Sequence, residues 1–261
     1  MFHLKRKKKA EEATGKIYLL NENTPFAVYE AYRSLQTNVM FSLDAGEEGK
    51  IIGITSSESG EGKSTNAFNL ALSMAETGKK ILFLDCDLRL SVTAQRTGLA
   101  SSPGLSNVLT GMAGLEECVQ QYENSGLDVI TAGNLPPNPV KLLGSPRMEK
   151  LCKSLKASYD YIIADLPPVG VVADAVILSK FYDGVVLVVK EGYSRSERIR
   201  SMIRDLEFVG VWILGFLYVG SEEVRGRYGK YGKYGRYGRY GRYGKYVSEN
   251  GGVSAENGSE R

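Results

Sequence analysis

The chain has 261 residues, of which 43% are hydrophobic and 24% are charged, and its formal net charge is +3. This length predicts one α/β domain with extensions and enough sequence to bury a core. No apolar run approaches the roughly 20 residues of a membrane-spanning helix, and the start of the chain lacks the apolar region of a secretory signal peptide. The three cysteines are odd in number and widely spaced, which favours reduced thiols in the cytosol over a disulfide framework or a zinc site. We therefore expect a cytoplasmic protein.

The positive charge is concentrated in two arms. Residues 5–9 contribute +5 and residues 225–246 contribute +8 without any acidic residue, so the rest of the chain carries −10. Basic arms on an acidic body are typical of solvated termini, and also of proteins that contact an anionic membrane surface, a nucleic acid or an acidic partner. Composition alone leaves these alternatives open.

In chain order, the predicted elements begin with a helix over Thr24–Leu43. A second helix is indicated by Ala67, Leu70 and Met74, which recur at helical spacing, and Gly78 predicts its end. Six runs rich in β-branched residues are predicted as strands: Lys50–Ser56, Lys80–Asp85, Leu127–Gly133, Tyr159–Pro167, Gly184–Lys190 and Val211–Val219.

The alternation of these runs with longer amphipathic segments predicts an α/β fold with a mostly parallel sheet flanked by helices. The most apolar segment, Val209–Gly220, is predicted as a buried strand. After Gly220 the apolar pattern stops, and a repeat of tyrosine, glycine and basic residues leads into a polar end. We expect this tail to be disordered, because it is too polar to fold alone.

A glycine-rich loop joins the first strand to the second helix and reads "SSESGEGKST" over Ser56–Thr65. Glycines let main-chain N–H groups turn toward phosphates, and the helix N-terminus adds partial positive charge. Ser57 stands where the full phosphate-loop pattern has glycine, so the loop is a variant. The predicted nucleotide-binding residues are Ser59, Gly60, Glu61, Gly62, Lys63, Ser64 and Thr65. Lys63 is expected to reach the β- and γ-phosphates of ATP, and Ser64 to bind Mg²⁺.

Three acidic residues follow two further strands. Asp85 and Asp87 end the "ILFLDCD" run, and Asp165 ends "YIIAD". A single aspartate at a strand end is usually a cap for the next helix, but ligands in open α/β sheets also bind at this edge. A triphosphate with Mg²⁺ needs carboxylates near the metal and near the attacking nucleophile, and the only histidine is His3 in the basic arm. The pattern predicts a phosphoryl-transfer site.

Five segments in this order carry a resemblance to a known family: "SESGEGKST", "LFLDCDLR", "GLSNVLTG", "GNLPPNPVKLLGS" and "YDYIIADLPPVG". With the tyrosine-rich tail, they resemble the bacterial tyrosine kinases, in particular the separate cytoplasmic kinase of capsule and exopolysaccharide systems. The resemblance implies a P-loop NTPase-like fold and autophosphorylation in trans, with ATP and Mg²⁺, on a C-terminal tyrosine cluster. It implies recruitment to the inner face of the cell membrane by the cytoplasmic segment of a transmembrane activator, the polysaccharide co-polymerase. Other implied partners are further copies of the chain in a ring and a cognate tyrosine phosphatase.

On this resemblance the chain divides into a basic arm (1–23), a P-loop tyrosine kinase domain (24–220) and a disordered tail (221–261). Lys63 is catalytic, Asp85 accepts the tyrosyl proton, and Asp87 is catalytic and supports the metal. Ser64 and Asp165 complete the metal ligands. Glu30 and Arg33 match the charged oligomer motif of the family. The implied phosphoacceptors are Tyr228, Tyr231, Tyr234, Tyr237, Tyr240, Tyr243 and Tyr246.

Four positions depart from the family pattern. Gln36 replaces the last arginine of the oligomer motif, and Lys141 replaces a usual glutamate. Leu166 follows Asp165 where a threonine is usual, and Tyr218 stands where related P-loop proteins often place an asparagine against adenine.

The tail also fits a different function. Basic residues, glycine and tyrosine are typical of segments that bind single-stranded nucleic acid, although the upstream motifs favour a phosphoacceptor and we do not expect a nucleic-acid partner. The alternative function is a septum-placing or partitioning P-loop ATPase whose basic tail binds nucleic acid or another anionic partner. Such ATPases commonly have an additional lysine early in the phosphate loop, where this chain has Glu58 and Ser59.

Overall fold

The computed structural model describes residues 19–43, 46, 48–170 and 174–220. The chain divides into two units, Met1–Val219 and Gly220–Arg261, and the second lies outside the described residues except for Gly220. The expected tail (221–261) and residues 1–18 of the expected basic arm (1–23) lie outside the described residues.

The helices, in chain order, are α1 (Phe26–Ser42), α2 (Lys63–Ala75), α3 (Thr93–Thr97), α4 (Leu105–Thr110), α5 (Leu115–Cys118), α6 (Pro139–Leu143), α7 (Pro146–Ser158), α8 (Asp174–Ser179) and α9 (Ser196–Phe208). The strands are β1 (Lys50–Ser56), β2 (Ile81–Asp85), β3 (Val119–Tyr122), β4 (Leu127–Ile130), β5 (Tyr161–Asp165), β6 (Gly184–Lys190) and β7 (Ile213–Val219).

The strands form one seven-stranded sheet with the order β3-β4-β2-β5-β1-β6-β7. All neighbouring pairs are parallel except β3 with β4. Asp165 at the end of β5 lies beside Ile54 of β1 on one side and Asp85 of β2 on the other. The carboxyl ends of β1, β2 and β5 therefore meet at one edge of the sheet, where the predicted site residues follow.

Helices cover both faces of the sheet, and each face has its own apolar core. Leu70 of α2 and Phe83 of β2 are fully buried on the face that α1 and α2 cover. Leu155 of α7, Met202 of α9 and Leu84 of β2 are buried on the opposite face. Alternate residues of β2 thus enter different cores, as expected for a strand with both faces covered.

Most of the elements predicted from the sequence are present. The strands β1 and β6 have the predicted bounds, four other predicted strands are shorter, and the two predicted helices correspond to α1 and α2. The antiparallel edge strand β3 was not predicted, because "VQQY" has neither an apolar run nor a clear alternation. The three cysteines are buried and free, as expected. No helix among the described residues is long and apolar enough to cross a bilayer.

The prediction that Val209–Gly220 is a buried strand was wrong. The segment contains a strand, but within the part of the chain that the structure describes β7 is the last strand of the sheet and pairs only with β6. Trp212, Phe216 and Tyr218 are 57%, 55% and 63% exposed. High apolar content predicted the strand correctly, but it does not distinguish an edge strand, covered in part, from a central one.

We expect two phenylalanines on strands to differ sharply in their contribution to stability. Phe83→Ala should lower the free energy of unfolding by about 3–5 kcal/mol, because Phe83 is 0% exposed in β2 and its removal leaves a cavity. Phe216→Ala should lower it by about 1 kcal/mol or less, because the side chain is already 55% exposed. Urea unfolding of the two variants measures both values, and similar losses would contradict the edge position of β7.

Candidate active site

The glycine-rich loop connects β1 to α2 and has the backbone shape of a phosphate-binding loop. Gly60 and Gly62 have φ of 87° and 97°, a left-handed conformation that glycine adopts without steric cost. Lys63 begins α2, so the positive end of the helix dipole lies at the end of the loop. The carbonyl of Gly62 accepts a hydrogen bond of 2.8 Å from Asn66 Nδ2. The loop and the helix N-terminus together form a site suited to an anion.

Lys63 lies between two of the predicted carboxylates. Its Nζ is 2.9 Å from Asp87 Oδ2 and 3.5 Å from Asp165 Oδ1, and it donates to Ser64 Oγ at 3.2 Å. Burial of the ammonium opposes its charged form, but the charges of Asp165 and Asp87 outweigh burial and raise the pKa of Lys63. The lysine is therefore protonated and held by acids beside the loop.

Asp165 has a carboxylate oxygen suited to a cation. The residue is almost fully buried, and Oδ1 has no hydrogen-bond partner among the described residues, although the Lys63 ammonium is close. Burial raises the pKa of Asp165, and the positive charge of Lys63 partly opposes that rise.

The donors around Asp165 fit Mg²⁺. The hydroxyl of Ser64 and the carboxylates of Asp87 and Asp165 are hard oxygen donors, and all three lie around Lys63 Nζ. Within the described part of the chain, no group of three or more acidic, histidine or cysteine side chains is arranged to hold a metal by itself. Mg²⁺ commonly takes one or two carboxylates together with substrate phosphates, so this donor set is sufficient.

Asp85 is placed to accept a proton. It is fully buried at the end of β2, and its Oδ2 accepts a 2.6 Å hydrogen bond from Ser91 Oγ. Its Oδ1 accepts a 3.1 Å hydrogen bond from the main-chain N–H of Asp87. Burial, with the charge of Asp165 as a second cause, raises the pKa of Asp85 to about 7. A carboxylate with this pKa can both take up and release a proton near neutral pH.

The side chain of Glu61 is engaged within the phosphate loop. Its carboxylate is fully buried and accepts hydrogen bonds from Ser57 Oγ at 2.8 Å and from the main-chain N–H of Glu58 at 3.0 Å. Ser194 Oγ, from the segment after β6, donates a further hydrogen bond to it. Glu61 was predicted as a nucleotide contact, but its side chain holds the shape of the loop.

The remaining predicted loop residues also have partners in the protein. Thr65 Oγ1 accepts a 3.1 Å hydrogen bond from Arg96. The carbonyls of Ser59 and Gly60 accept hydrogen bonds from Tyr193, in the turn after β6, and from Lys190, at the end of β6. Arg198 of α9 forms a 3.4 Å ion pair with Glu58.

Sequence reasoning missed several residues of this site, namely Ser91, Lys190, Tyr193 and Ser194. Ser91 lies six residues after Asp85, and no short motif marks it. Lys190 ends β6, whose neighbours in the sheet include β1, and the other two follow it. Their position at the carboxyl end of β6, with a tyrosine and a serine in a short turn, was the available signal.

The predicted oligomer contacts lie on α1. Arg33 Nη1 is 3.2 Å from Glu30 Oε1, and both side chains are largely exposed. Gln36, which replaces the motif arginine, accepts a 2.9 Å hydrogen bond from Ser73 Oγ of α2. The glutamine therefore joins α1 to α2 within the same chain.

A hydrogen-bond relay connects α1 to the phosphate loop. Tyr32 of α1 donates a 2.7 Å hydrogen bond to Asn66 Oδ1 of α2, and Asn66 donates to the carbonyl of Gly62. Asn69 also donates to the Tyr32 hydroxyl at 3.0 Å. The helix that carries the oligomer motif is thus fixed to the last glycine of the loop.

Three other departures from the family pattern have clear positions. Leu166 is fully buried in the apolar core beneath the site. Unlike the usual threonine, it has no hydroxyl that could contact a phosphate. Lys141 lies exposed on α6, and Tyr218 is exposed at the carboxyl end of β7. The seven predicted phosphoacceptors, Tyr228 to Tyr246, lie outside the described residues.

A protein-family model described as "AAA domain" matches residues 49–210. The chain is 39% identical over 193 residues to "Tyrosine-protein kinase YwqD" of Bacillus subtilis (strain 168). The matched residues cover 74% of this chain and 81% of that protein. It is 38% identical over 203 residues to "Tyrosine-protein kinase CpsD" of Streptococcus agalactiae. The matched residues cover 77% of this chain and 86% of that protein.

The solved structures give the same relationship. The kinase domain of Escherichia coli tyrosine kinase ETK matches with a TM-score of 0.71 and 31% identity, covering 80% of this chain and 85% of that chain. The septum site-determining protein MinD of Pyrococcus horikoshii, complexed with Mg-ADP, matches with a TM-score of 0.56 and 28% identity. This match covers 64% of this chain and 69% of that chain. The fold is therefore that of nucleotide-binding P-loop proteins. The family match, the identity to the two kinases and the agreement with the ETK domain mean that the chain belongs to the bacterial tyrosine kinase family.

Proposed function

We propose that this protein is an ATP-dependent protein-tyrosine kinase that phosphorylates the C-terminal tyrosine cluster of other copies of the same chain. One observation carries the proposal: Lys63 lies within 2.9 Å of Asp87 and 3.5 Å of Asp165, beside a glycine loop at a helix N-terminus. This arrangement provides a phosphate site, a cation for the phosphates and oxygen ligands for a metal in one place.

Each polar residue of the site has a distinct role in this proposal. The loop N–H groups and the N-terminus of α2 bind the phosphates. The ammonium of Lys63 neutralises phosphate charge, and the two acids that now hold it keep it protonated. Ser64, Asp87 and Asp165 would hold Mg²⁺, which when bound neutralises further charge on the transferred phosphoryl group.

Asp85 is the proposed proton acceptor for the tyrosyl hydroxyl. A phenol is a weak nucleophile at neutral pH, so transfer of its proton to a carboxylate assists the attack on phosphorus. The carboxylate acts only when ionised, and burial raises its pKa to about 7. The rate should therefore rise as the pH increases through about 7 and fall as Asp85 becomes protonated below it.

The tail supplies the proposed substrate. Its seven tyrosines recur at every third residue between Tyr228 and Tyr246, next to basic residues that an acidic body attracts. Each phosphate adds a charge of about −1.5 to −2, so full modification adds roughly −10 to −14 and reverses the sign of the +8 segment. Repulsion between the modified tail and the acidic body would then weaken an oligomer that the tail helps to hold.

The wider role that we propose is regulation of capsular or extracellular polysaccharide synthesis and export. The resemblance to the separate kinases of such systems supports this role. Activation would come from the cytoplasmic segment of a transmembrane partner, which recruits the kinase to the membrane. A tyrosine phosphatase would remove the phosphates from the tail. Because the fold also matches MinD in part, a positioning ATPase is the alternative function that the tests below distinguish from a kinase.

The first test locates the phosphate. After incubation with ATP and Mg²⁺ and with the partner's cytoplasmic segment present, phosphopeptide mass spectrometry should find phosphate on several of the tyrosines from Tyr228 to Tyr246. Lys63→Ala should abolish it, because the phosphates lose their main cation. Lys153→Ala, which removes an exposed lysine on α7, serves as the matched control and should leave the labelling unchanged. An unmodified tail together with Lys63-dependent ATP hydrolysis would favour the positioning ATPase.

The second test concerns the role of Asp85. The hydrogen bond from Ser91 stabilises the ionised carboxylate, so Ser91→Ala should raise the pKa of Asp85 further. The acidic limb of the kcat/KM profile for tail phosphorylation should then move to higher pH by about one unit. Ser125→Ala, in the turn between β3 and β4, is the control and should leave the profile in place. An unchanged limb in Ser91→Ala would argue against Asp85 as the group that controls the rate.

A further inference from the structure

The last residue of β6 and the turn after it hold the phosphate loop from outside. Tyr193 Oη donates a 2.9 Å hydrogen bond to the carbonyl of Ser59, and Lys190 Nζ donates a 3.3 Å hydrogen bond to the carbonyl of Gly60. The packing is close, because a Cβ atom added at Gly60 would lie 3.1 Å from Tyr193 Oη. A side chain at the end of β6 and one in the turn after it therefore fix two consecutive carbonyls of the loop.

Tyr193 is also accessible to another protein. Its side chain is 48% exposed, and Lys190 Nζ lies 5.2 Å from the ring centroid. Among the tyrosines that the structure describes, only Tyr193 and Tyr218 are exposed. Tyr218 belongs to strand β7, whereas Tyr193 lies in a turn. A turn can open locally at low free-energy cost, so Tyr193 is the better candidate to enter the active site of another molecule.

From this contact we propose that Tyr193 is a second phosphoacceptor, modified by another copy of this kinase, and that its phosphorylation weakens nucleotide binding. The inference rests on the proposed kinase function. It adds a modification site inside the folded domain, next to the phosphate loop.

The sheet order indicates that the modification occurs in trans. Asp85 ends β2 and Tyr193 follows β6, and β5 and β1 lie between these two strands. Three strand spacings separate the two strand ends by about 14 Å. Tyr193 also faces the outer side of its own loop through the Ser59 carbonyl. The proton acceptor of the same copy is therefore out of reach.

The chemical step is the one proposed for the tail. Asp85 of the modifying copy takes the phenol proton, and Tyr193 Oη forms a bond to the γ-phosphorus of ATP. The bond between that phosphorus and the oxygen that bridges the β- and γ-phosphates breaks, and ADP leaves with the electron pair. The products are phosphotyrosine and ADP, so no further reactant is required.

Phosphorylation would reverse the effect of Tyr193 on the loop. The ester oxygen has no hydrogen to donate, so the carbonyl of Ser59 loses its partner. The new phosphate carries a charge of about −1.5 to −2 and only accepts hydrogen bonds near neutral pH, so it is repelled by that carbonyl. It would attract the ammonium of Lys190, which then leaves the carbonyl of Gly60. The loop loses two hydrogen bonds, and negative charge accumulates beside the loop that binds the ATP phosphates.

The first experiment tests modification. The acceptor is an isotope-labelled full chain with Lys63→Ala and all seven tail tyrosines changed to phenylalanine, and the kinase is the unlabelled wild-type chain with ATP, Mg²⁺ and the partner segment. Site-resolved phosphopeptide mass spectrometry should find phosphate on Tyr193 of the acceptor. Phosphate on the wild-type tail but not on Tyr193 overturns this inference and leaves the proposed function intact. Absence of phosphate from both overturns the two proposals together.

The second experiment tests the consequence. A full chain with intact Lys63 and phenylalanines in the tail is phosphorylated by the wild-type kinase, and its modified fraction is isolated by anion exchange. Calorimetry with ATP should give a Kd that is about tenfold or more above that of the unmodified fraction. Tyr193→Phe, which loses only the hydrogen bond, should raise Kd by about two- to tenfold at most. An equal Kd for the modified and unmodified fractions overturns the regulatory effect.

A matched control separates the effect of Tyr193→Phe on ATP binding from the general effect of removing a tyrosine hydroxyl. Tyr159→Phe removes a 2.9 Å hydrogen bond to Asp128 at the opposite end of the sheet and should leave the Kd for ATP unchanged. A similar rise in Tyr159→Phe and Tyr193→Phe would mean that the change reports lost stability, which overturns the specific role of Tyr193.

Discussion

Three buried carboxylates and one ammonium share the carboxyl edge of the sheet, and the rest of the site depends on their charge balance. Asp85, Asp87 and Asp165 are each at most 4% exposed, and Lys63 is the cation among them. Burial of so much negative charge in a protein interior is unfavourable unless cations and hydrogen bonds compensate it. Positive charge is thus favoured at this edge, which suits a metal bound together with phosphates. Burial, with the charge of Asp165 as a second cause, raises the pKa of Asp85 to about 7, so this carboxyl can exchange a proton near neutral pH.

The sheet brings these groups together, and its neighbours define the loop that faces them. Parallel pairing places the ends of β2 and β5 side by side, so Asp85 and Asp165 are adjacent although 80 residues separate them in the chain. The phosphate loop is held from two directions. Asn66 joins its last glycine to Tyr32 of α1, and the end of β6 with the turn after it fixes two of its carbonyls. Both contacts come from segments that lie outside the nucleotide motifs.

The sequence was sufficient for the fold class and for the meeting of Lys63, Asp85 and Asp165 at one edge of the sheet. Asp85 and Asp165 end recognisable strands, Lys63 follows the loop after a third, and parallel strands bring such ends to one edge. The exposure of β7 could not be predicted, because the apolar content of a strand reports its type and not its place in the sheet. The contacts of Ser91 and Tyr193 were not predictable either, since they depend on how connecting segments return to the site. No local sequence pattern indicates the path of those connecting segments.

The serine at position 57 has a consequence for how this loop can evolve. Ser57 donates to the buried carboxylate of Glu61, which Ser194 also supports from a distant part of the chain. A return to the glycine of the usual pattern would remove one donor from a buried acid, at a cost of about 1–3 kcal/mol. A change of Glu61 alone would in turn leave the buried hydroxyl of Ser57 and the partly buried hydroxyl of Ser194 short of an acceptor. The three positions are therefore coupled: a change at any one of them alone removes a hydrogen-bond partner from another. The cost of a substitution at one position thereby depends on the residues at the two others.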